Sequence, residues 1–462
     1  MFIGRENELD KLNRMYKGDK FESVIIYGRR RVGKTTLINE FCKDKNAIFF
    51  VALEANRQAN LESLSNAVYS YINPNNYANI TFKSFDDVFI HIAGLAQSER
   101  LILVIDEYPY LAESDRSISS LLQNYIDHHF KATKLFLILC GSSMSFMENQ
   151  VLGYQSPLYG RRTAQFKILP FDYYDTAKWF PNYTAEEKAI IYGITGGIPM
   201  YIEQFSPKKT LDENILDAVL DRNAMLFEEP SNLLKQELRE PQMYNTIITA
   251  IASGKTKMSE ISTTAGIESG LCSKYINNLI SLGILKRETP ITNPSTKRPI
   301  YLIDDELFRF WYYFIPKSMA AIVSGRIVDS YAETVKKHLS DYMGLVFEKM
   351  CRDFILNRYK GLTFFIGEIG QWWGSDRVEK QQVQIDVVAT SSDGAEVLFG
   401  SCKFKNNKVG IDELELIKRY AKVMNPRCKP QYYLFSKSGF TENLMNQAGV
   451  TLISLDEMMP VE

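Results

Sequence analysis

Continuous apolar runs recur through the early part of the chain, at residues 23–27, 47–51, 101–105, 135–140 and 164–168. The first four do not alternate with polar residues, which is the pattern of strands covered on both faces. Longer stretches with helical spacing, such as 61–72 and 118–130, separate them. That order predicts a parallel sheet with helices on both sides. Ahead of the first run, Phe2-Ile3-Gly4-Arg5 leads into a short helix whose face is marked by Leu9 and Leu12.

From residue 243 the pattern changes. Helical segments at 244–252, 257–265 and 269–282, with Gly266 at a turn, precede two alternating strands at 284–289 and 299–303. This is the order of a winged helix-turn-helix. Residues 323–338 read as a linking helix, and residues 342–356 as a helix with Phe347, Met350, Phe354 and Ile355 on its apolar face. Strands at 383–390 and 397–405, joined by a turn at 391–394, are followed by a helix at 412–424 and strands at 431–435 and 450–454. The fold class is therefore α/β, with more than one sheet.

At 462 residues the chain has room for about three or four domains. Hydrophobic residues make up 45% and charged residues 24%, the balance of an ordinary globular protein. A formal net charge of −1 means that any nucleic-acid surface must be a local patch. The cysteines Cys42, Cys140, Cys272, Cys351, Cys402 and Cys428 are scattered, with no metal-binding spacing. They suit free thiols in a reducing cytoplasm. No signal peptide is expected, and no apolar stretch reaches membrane-spanning length.

The first apolar run stops at Gly28 and continues Arg29-Arg30-Arg31-Val32-Gly33-Lys34-Thr35-Thr36. This fits GxxxxGK[ST], the phosphate-binding loop, whose backbone N–H groups converge with a helix N-terminus on an anion. Lys34 is placed to reach the β- and γ-phosphates of ATP, and Thr35 to ligate Mg²⁺. The third run ends in Asp106 and Glu107. Two carboxylates after five apolar residues are costly unless they face a metal or water. Asp106 is expected to hold Mg²⁺ and Glu107 to orient or deprotonate the attacking water. Ser142 and Ser143 follow the fourth run as polar sensors of the γ-phosphate. Arg161 and Arg162 precede the fifth, either as cations near the γ-phosphate or as a solvated basic turn. Gly196-Gly197 with Pro199 read as a rigid turn between helices.

In the helix-turn-helix, Ser269, Ser273, Lys274 and Asn277 would face a major groove, and Lys297 and Arg298 in the wing would meet phosphates. The reading helix carries one lysine and no arginine, so a purely architectural role stays open.

FIGRENEL, GRRRVGKTT, LVIDEYPYL, GSS, PLYGRRT and GGIPMYI together resemble the prokaryotic family often called archaeal ATPases, within the AAA+/STAND-type P-loop NTPases. The resemblance covers roughly residues 1–235. It implies a five-stranded ASCE core with a small helical lid, with Lys34, Thr35, Asp106 and Glu107 as nucleotide and Mg²⁺ residues. Arg161 or Arg162 matches the arginine of the family's GRRT stretch, and DDELFRFWYYFI resembles the hydrophobic coda after the same module.

The C-terminal order resembles the restriction-endonuclease-like PD-(D/E)xK fold, and specifically the nuclease-like domain found in that ATPase family. Asp386 and Lys403 match its pattern, and Glu348 matches the acidic residue of its first helix. The departure is Ser401, which stands where the second metal-binding carboxylate belongs. Glu396 points to the other face of the strand, whereas Glu413 or Glu415 on the next helix could replace it. A degenerate domain that binds DNA or protein without cutting is the alternative.

The expected organisation is a P-loop core at 1–175, a lid at 176–235, a winged helix-turn-helix at 236–316, a linker helix at 317–340 and a nuclease-like domain at 341–462. The expected function is a cytoplasmic, Mg²⁺-dependent ATPase whose nucleotide state controls a DNA-directed, nuclease-like C-terminal half. The alternative is an ATP-driven signalling switch whose C-terminal half binds a protein partner. ATP and Mg²⁺ are the expected cofactors. DNA and a second copy of the chain are the candidate macromolecular partners, and a membrane is not one.

Overall fold

The computed structural model describes residues 2–74, 80–291, 299–376, 379–424 and 427–460. Lys297 and Arg298, expected in the wing, lie outside the described residues. The chain divides into two compact units, one of Met1–Pro170 with Ile198–Met200, the other of Phe171–Gly197 with Tyr201–Glu462.

In the first unit the five apolar runs form β1 (Glu22–Tyr27), β2 (Ala47–Val51), β3 (Leu101–Asp106), β4 (Leu135–Gly141) and β5 (Ala164–Lys167). All pair in parallel, in the order β2-β3-β4-β1-β5. Strand alternation sends Ile25, Leu103, Ile105, Leu137 and Leu139 into one core layer. There they meet α3 (Arg57–Ile72), α4 (Phe85–Ser98), α5 (Tyr108–Ser114) and α6 (Ile118–His128). Val24, Ile26, Ile102, Val104, Phe136 and Ile138 enter the opposite layer. Leu12 of α1 (Glu6–Tyr16) and Leu37, Ile38 and Phe41 of α2 (Lys34–Cys42) cover them. Both faces of the central strands β1, β3 and β4 are dry, which is why their sequences are nearly unbroken apolar runs.

The second unit begins with helical segments. The Ala185–Thr195 helix opens on a capping box formed by Thr184 and Glu187. It closes on Gly196 and Gly197, at φ +59° and +73°. A Cβ on Gly197 would lie 1.9 Å from the Phe171 carbonyl oxygen, so no other residue fits there. Further along, helices Pro241–Ala252, Met258–Ala265 and Ser269–Ser281 pack with the antiparallel pair β6 (Leu285–Glu288) and β7 (Ile300–Ile303). Ile247, Ile251, Ile261, Ile276, Leu279 and Tyr301 form their shared core.

Phe308 and Tyr312 join that core from the Glu306–Val323 helix. This helix runs through Pro316 without a break, so the division expected at 316/317 falls inside an element. The linking helix expected at 323–338 is found over 327–338, joined to the helix that follows it rather than standing alone. Gly325, at φ +76°, ends the preceding helix, and consecutive α, π and 3-10 helical segments at Ile327–Ser330, Tyr331–Val335 and Lys336–His338 run on into a Leu339–Asn357 helix. The division expected at 340/341 lies within that helix.

The second sheet has the order β12-β11-β10-β9-β8. Its strands are β8 (Ile366–Asp376), β9 (Gln381–Ser391), β10 (Glu396–Lys403), β11 (Lys429–Ser436) and β12 (Val450–Ser454). The first three pair antiparallel and the last three parallel, with the Ile411–Met424 helix crossing between β10 and β11. β8 has no counterpart in the sequence reading.

Candidate active site at the carboxyl ends of β1, β3 and β4

β1 ends at Tyr27, and the chain must then turn hard. A Cβ on Gly28 would sit 2.2 Å from the Ile168 carbonyl oxygen, so the glycine is fixed by the approach of the chain leaving β5. Arg31 and Gly33 both have left-handed backbone, at φ +73° and +85°. They wrap the loop so that α2 starts at Lys34 with its first N–H groups free of intrahelical partners. Val32 anchors the loop in the apolar core.

Lys34 is only 7% exposed. Its Nζ donates to the carbonyls of Gly28 at 3.0 Å and Arg29 at 2.9 Å, lying across the mouth of the loop. Burial pulls its pKa below the ordinary lysine value, against the pull of Glu107 and Asp106. Thr35 Oγ1 donates to Asp106 Oδ2 at 2.9 Å, and Asp106 Oδ1 accepts from the Glu107 N–H at 2.9 Å. Glu107 itself is held at φ +50°. Its carboxylate accepts from Ser142 Oγ at 2.8 Å and from the Ser142 N–H at 3.3 Å. Three strand ends thus deliver one cation, two hydroxyls and two carboxylates to one place. Hard oxygen donors from Thr35 and Asp106 suit Mg²⁺, which binds through few protein groups plus phosphate and water.

Around these, Arg30 donates to the Tyr110 hydroxyl at 2.9 Å. Thr36 and Ser143 are exposed. Arg5 was legible only as part of a lead-in, yet it is buried and donates to the Val32 carbonyl at 3.2 Å and to the Leu169 carbonyl. It ties the loop to the chain leaving β5. The available signal was a charged residue inside the Phe2-Ile3-Gly4-Arg5 stretch.

Of the two readings of Arg161 and Arg162, the partners of Arg161 fit a basic turn rather than a cation at the γ-phosphate. Both precede β5, where Thr163 pairs with Ser23 at the start of β1. The phosphate loop leaves the other end of β1, roughly 13 Å away at the rise of a strand. Arg161 is committed to Asp127 at 2.7 and 2.9 Å and to the carbonyls of Pro157 and Tyr159. Arg161, with Lys131, holds the Asp127 carboxyl below the usual range.

A second constellation lies in the C-terminal sheet. Asp386 Oδ2, on β9, accepts from the Cys402 N–H at 2.9 Å and lies 3.4 Å from Ser401 Oγ. Ser401 donates to Glu413 Oε1 at 2.7 Å, and Lys403 Nζ lies 3.1 Å from the same oxygen. Arg352 donates to the Asp386 carbonyl at 2.9 Å, and the Gln371 amide donates to Glu348. Burial, reinforced by Asp386, pushes Glu348 up to about 8, and burial also raises Asp386. Burial alone would lower Lys403, but Glu413 and Asp386 outweigh it and hold the ammonium above its usual value. Glu415 pairs with Lys418 and Glu396 with Lys429, both away from this cluster. Among the described residues no three His, Cys, Asp or Glu side chains are grouped to hold a metal by themselves. No helix among them is long and apolar enough to cross a membrane.

Residues 2–205 match the family described as "ATPase domain predominantly from Archaea", and residues 311–414 match one described as "Archaea bacterial proteins of unknown function". An uncharacterized protein of Methanocaldococcus jannaschii is 34% identical over 412 residues, spanning 88% of this chain and 88% of that protein. An uncharacterized ATP-binding protein of the same organism is 49% identical over 45 residues, 10% of this chain and 76% of that protein. A solved Walker-type ATPase of Pyrococcus abyssi shares the fold with a TM-score of 0.52 at 19% identity, covering 67% of this chain and 96% of that one.

Proposed function

This chain belongs to the family of the Methanocaldococcus jannaschii protein and is an ATPase through its predominantly archaeal N-terminal domain, and from that premise we propose an Mg²⁺-dependent enzyme whose nucleotide state governs a DNA-directed C-terminal half. The observation that carries the first part is the 2.9 Å contact of Thr35 with Asp106, which brings the loop after β1 and the end of β3 to one point although β4 separates those strands. Thr35 and Asp106 would hold Mg²⁺, which would neutralise charge on the β- and γ-phosphates of bound ATP. Lys34 exchanges its two carbonyl partners for phosphate oxygens. The amides of Gly33 and the start of α2 hold the same oxygens. Glu107 orients the attacking water and takes its proton, while Ser142 fixes the carboxylate from the other side.

For the C-terminal half we read a winged helix-turn-helix followed by a PD-(D/E)xK-like domain. In the first, Lys257, Ser259, Ser269, Arg287 and Tyr301 line one groove, polar and basic enough for a phosphate backbone. In the second, Glu413 supplies the carboxylate that position 401 lacks, because Ser401 lies within 3.4 Å of Asp386 and 2.7 Å of Glu413. Two carboxylates recruit Mg²⁺ only together with phosphate oxygens, so this site works with nucleic acid bound or not at all. Lys403 with exposed Lys405 and Lys408 gives it a basic margin.

The test is ATP turnover by the purified chain with and without DNA, alongside nicking of supercoiled plasmid by the parent, Ser401→Glu and Asp386→Ala. Stimulation of turnover by DNA, with weak nicking that Ser401→Glu strengthens and Asp386→Ala removes, is the expected result. Turnover indifferent to DNA would turn the reading toward a switch acting on a protein partner.

A further inference from the structure

One residue of the β6–β7 connection is built into the wrong sheet. Ile291 follows β6, yet it is 3% exposed within the core of Ile385, Val388, Val397, Phe399 and Leu434 in the C-terminal sheet. Its N–H donates to the Gln371 carbonyl at 2.9 Å. That carbonyl is available because the β8–β9 register breaks between Gly370 and Trp372, releasing Gln371 from the ladder. The Gln371 side chain, itself buried, donates to Glu348. Glu288, the last residue of β6, stands close enough to Glu348 to act on its carboxyl electrostatically. A continuous run of contacts therefore leads from the hairpin to the acid cluster, with an extra carboxylate brought along.

We propose that residues 289–291, seated on β8, are an intrachain occupant that keeps a phosphodiester backbone away from Glu348, Asp386, Glu413 and Lys403. The proposal rests on the nucleic-acid reading of the C-terminal half. A polyanion approaching Glu348 meets the Glu288 carboxylate, held there by the buried Pro290–Ile291 turn seated on β8. The same contact holds the hairpin, which a winged helix needs free to lie along DNA. One release thus makes both surfaces available, and the ligand competes with the segment for the site.

The geometry supplies its own lock. A Cβ built on Gly370 lies 3.6 Å from the Ile291 Cβ, within the range a disulfide requires. Ile291→Cys with Gly370→Cys should close the contact when oxidised and free it when reduced. Ile291→Asp should open it by placing a carboxylate in an apolar core. Binding of a fluorescent mixed-sequence DNA duplex by full-length protein is compared among parent, Ile291→Asp and the double-cysteine variant with and without reductant. Circular dichroism and ATP turnover without DNA check folding. The oxidised form should lose the DNA binding that its reduced form shows, and Ile291→Asp should bind about tenfold more tightly than the parent, as for a site occluded nine-tenths of the time. Equal binding by locked and reduced forms would overturn the occlusion while leaving the DNA reading in place. Failure of every form, the reduced and Ile291→Asp proteins included, to bind DNA would overturn both.

Discussion

Lys34 is held by two carbonyl oxygens of its own loop, so its ammonium is already aimed and only its partners change when phosphate arrives. Charge-assisted hydrogen bonds are worth about 1.5–3 kcal/mol each. Lys34→Ala should therefore weaken ATP binding at least about a hundredfold, measured by titration calorimetry, with the circular dichroism spectrum unchanged. Glu107→Gln keeps the Asp106 and Thr35 oxygens, so ATP should still bind while turnover falls by about 10²–10⁴, the usual weight of a general base. Glu348 gives a pH signature. Burial raises its folded pKa to about 8, well above an unfolded glutamate, so the folded state binds more protons through that window. Stability present below about pH 4.5 is lost as pH rises through about 8. Glu348→Gln should flatten that decline in Tm. The motif residues were legible because GxxxxGK[ST] fixes both type and spacing, whereas Arg5 was not, because its partners are carbonyls that any sequence could offer.

Elements followed the same logic. The strands β1, β3 and β4 were legible because both faces are buried, so each is a nearly uninterrupted apolar run, whereas the edge strands β2 and β5 are less buried. β8 was not, since it is an edge strand with three glycines in Ile366–Asp376, only partly buried, with two register breaks that destroy any alternation. The Arg161–Asp127 pair was equally illegible, because nothing in the sequence says which acid an arginine will meet. At the element scale the sharpest constraint is the end of the Ala185–Thr195 helix. Gly197→Ala would place a methyl carbon 1.9 Å from the Phe171 carbonyl in a left-handed backbone, so the turn must open. The chain continues directly into Ile198–Met200, where the Pro199 ring lies 3.6 Å from a Cβ position on Gly33. A fall in Tm together with weakened ATP binding is expected, and binding that survives the Tm loss would separate the turn from the phosphate loop.

For the molecule as a whole, a net charge of −1 gives no general attraction to nucleic acid, so the proposed DNA binding would have to rest on a few clustered cations. Lys405 and Lys408 are exposed beside Lys403. If they meet phosphates, the double substitution to alanine should weaken DNA binding alike for all sequences. It should also lower the slope of log affinity against log salt by about 2, one for each lysine. An unchanged slope would remove them from the interface.

The short return of Ile198–Met200 has a consequence for how such a chain can be inherited. The compact first unit leaves off at Pro170, but the family match runs on to residue 205, beyond that return. A recombination joining this sheet to a new C-terminal half at residue 170 would discard the proline beneath the phosphate loop. One placed after residue 205 would carry it along. An exchange of C-terminal halves that keeps the loop's support therefore needs its junction downstream of the turn, and the helix ending at Thr195 must travel with the sheet although it packs in the other unit.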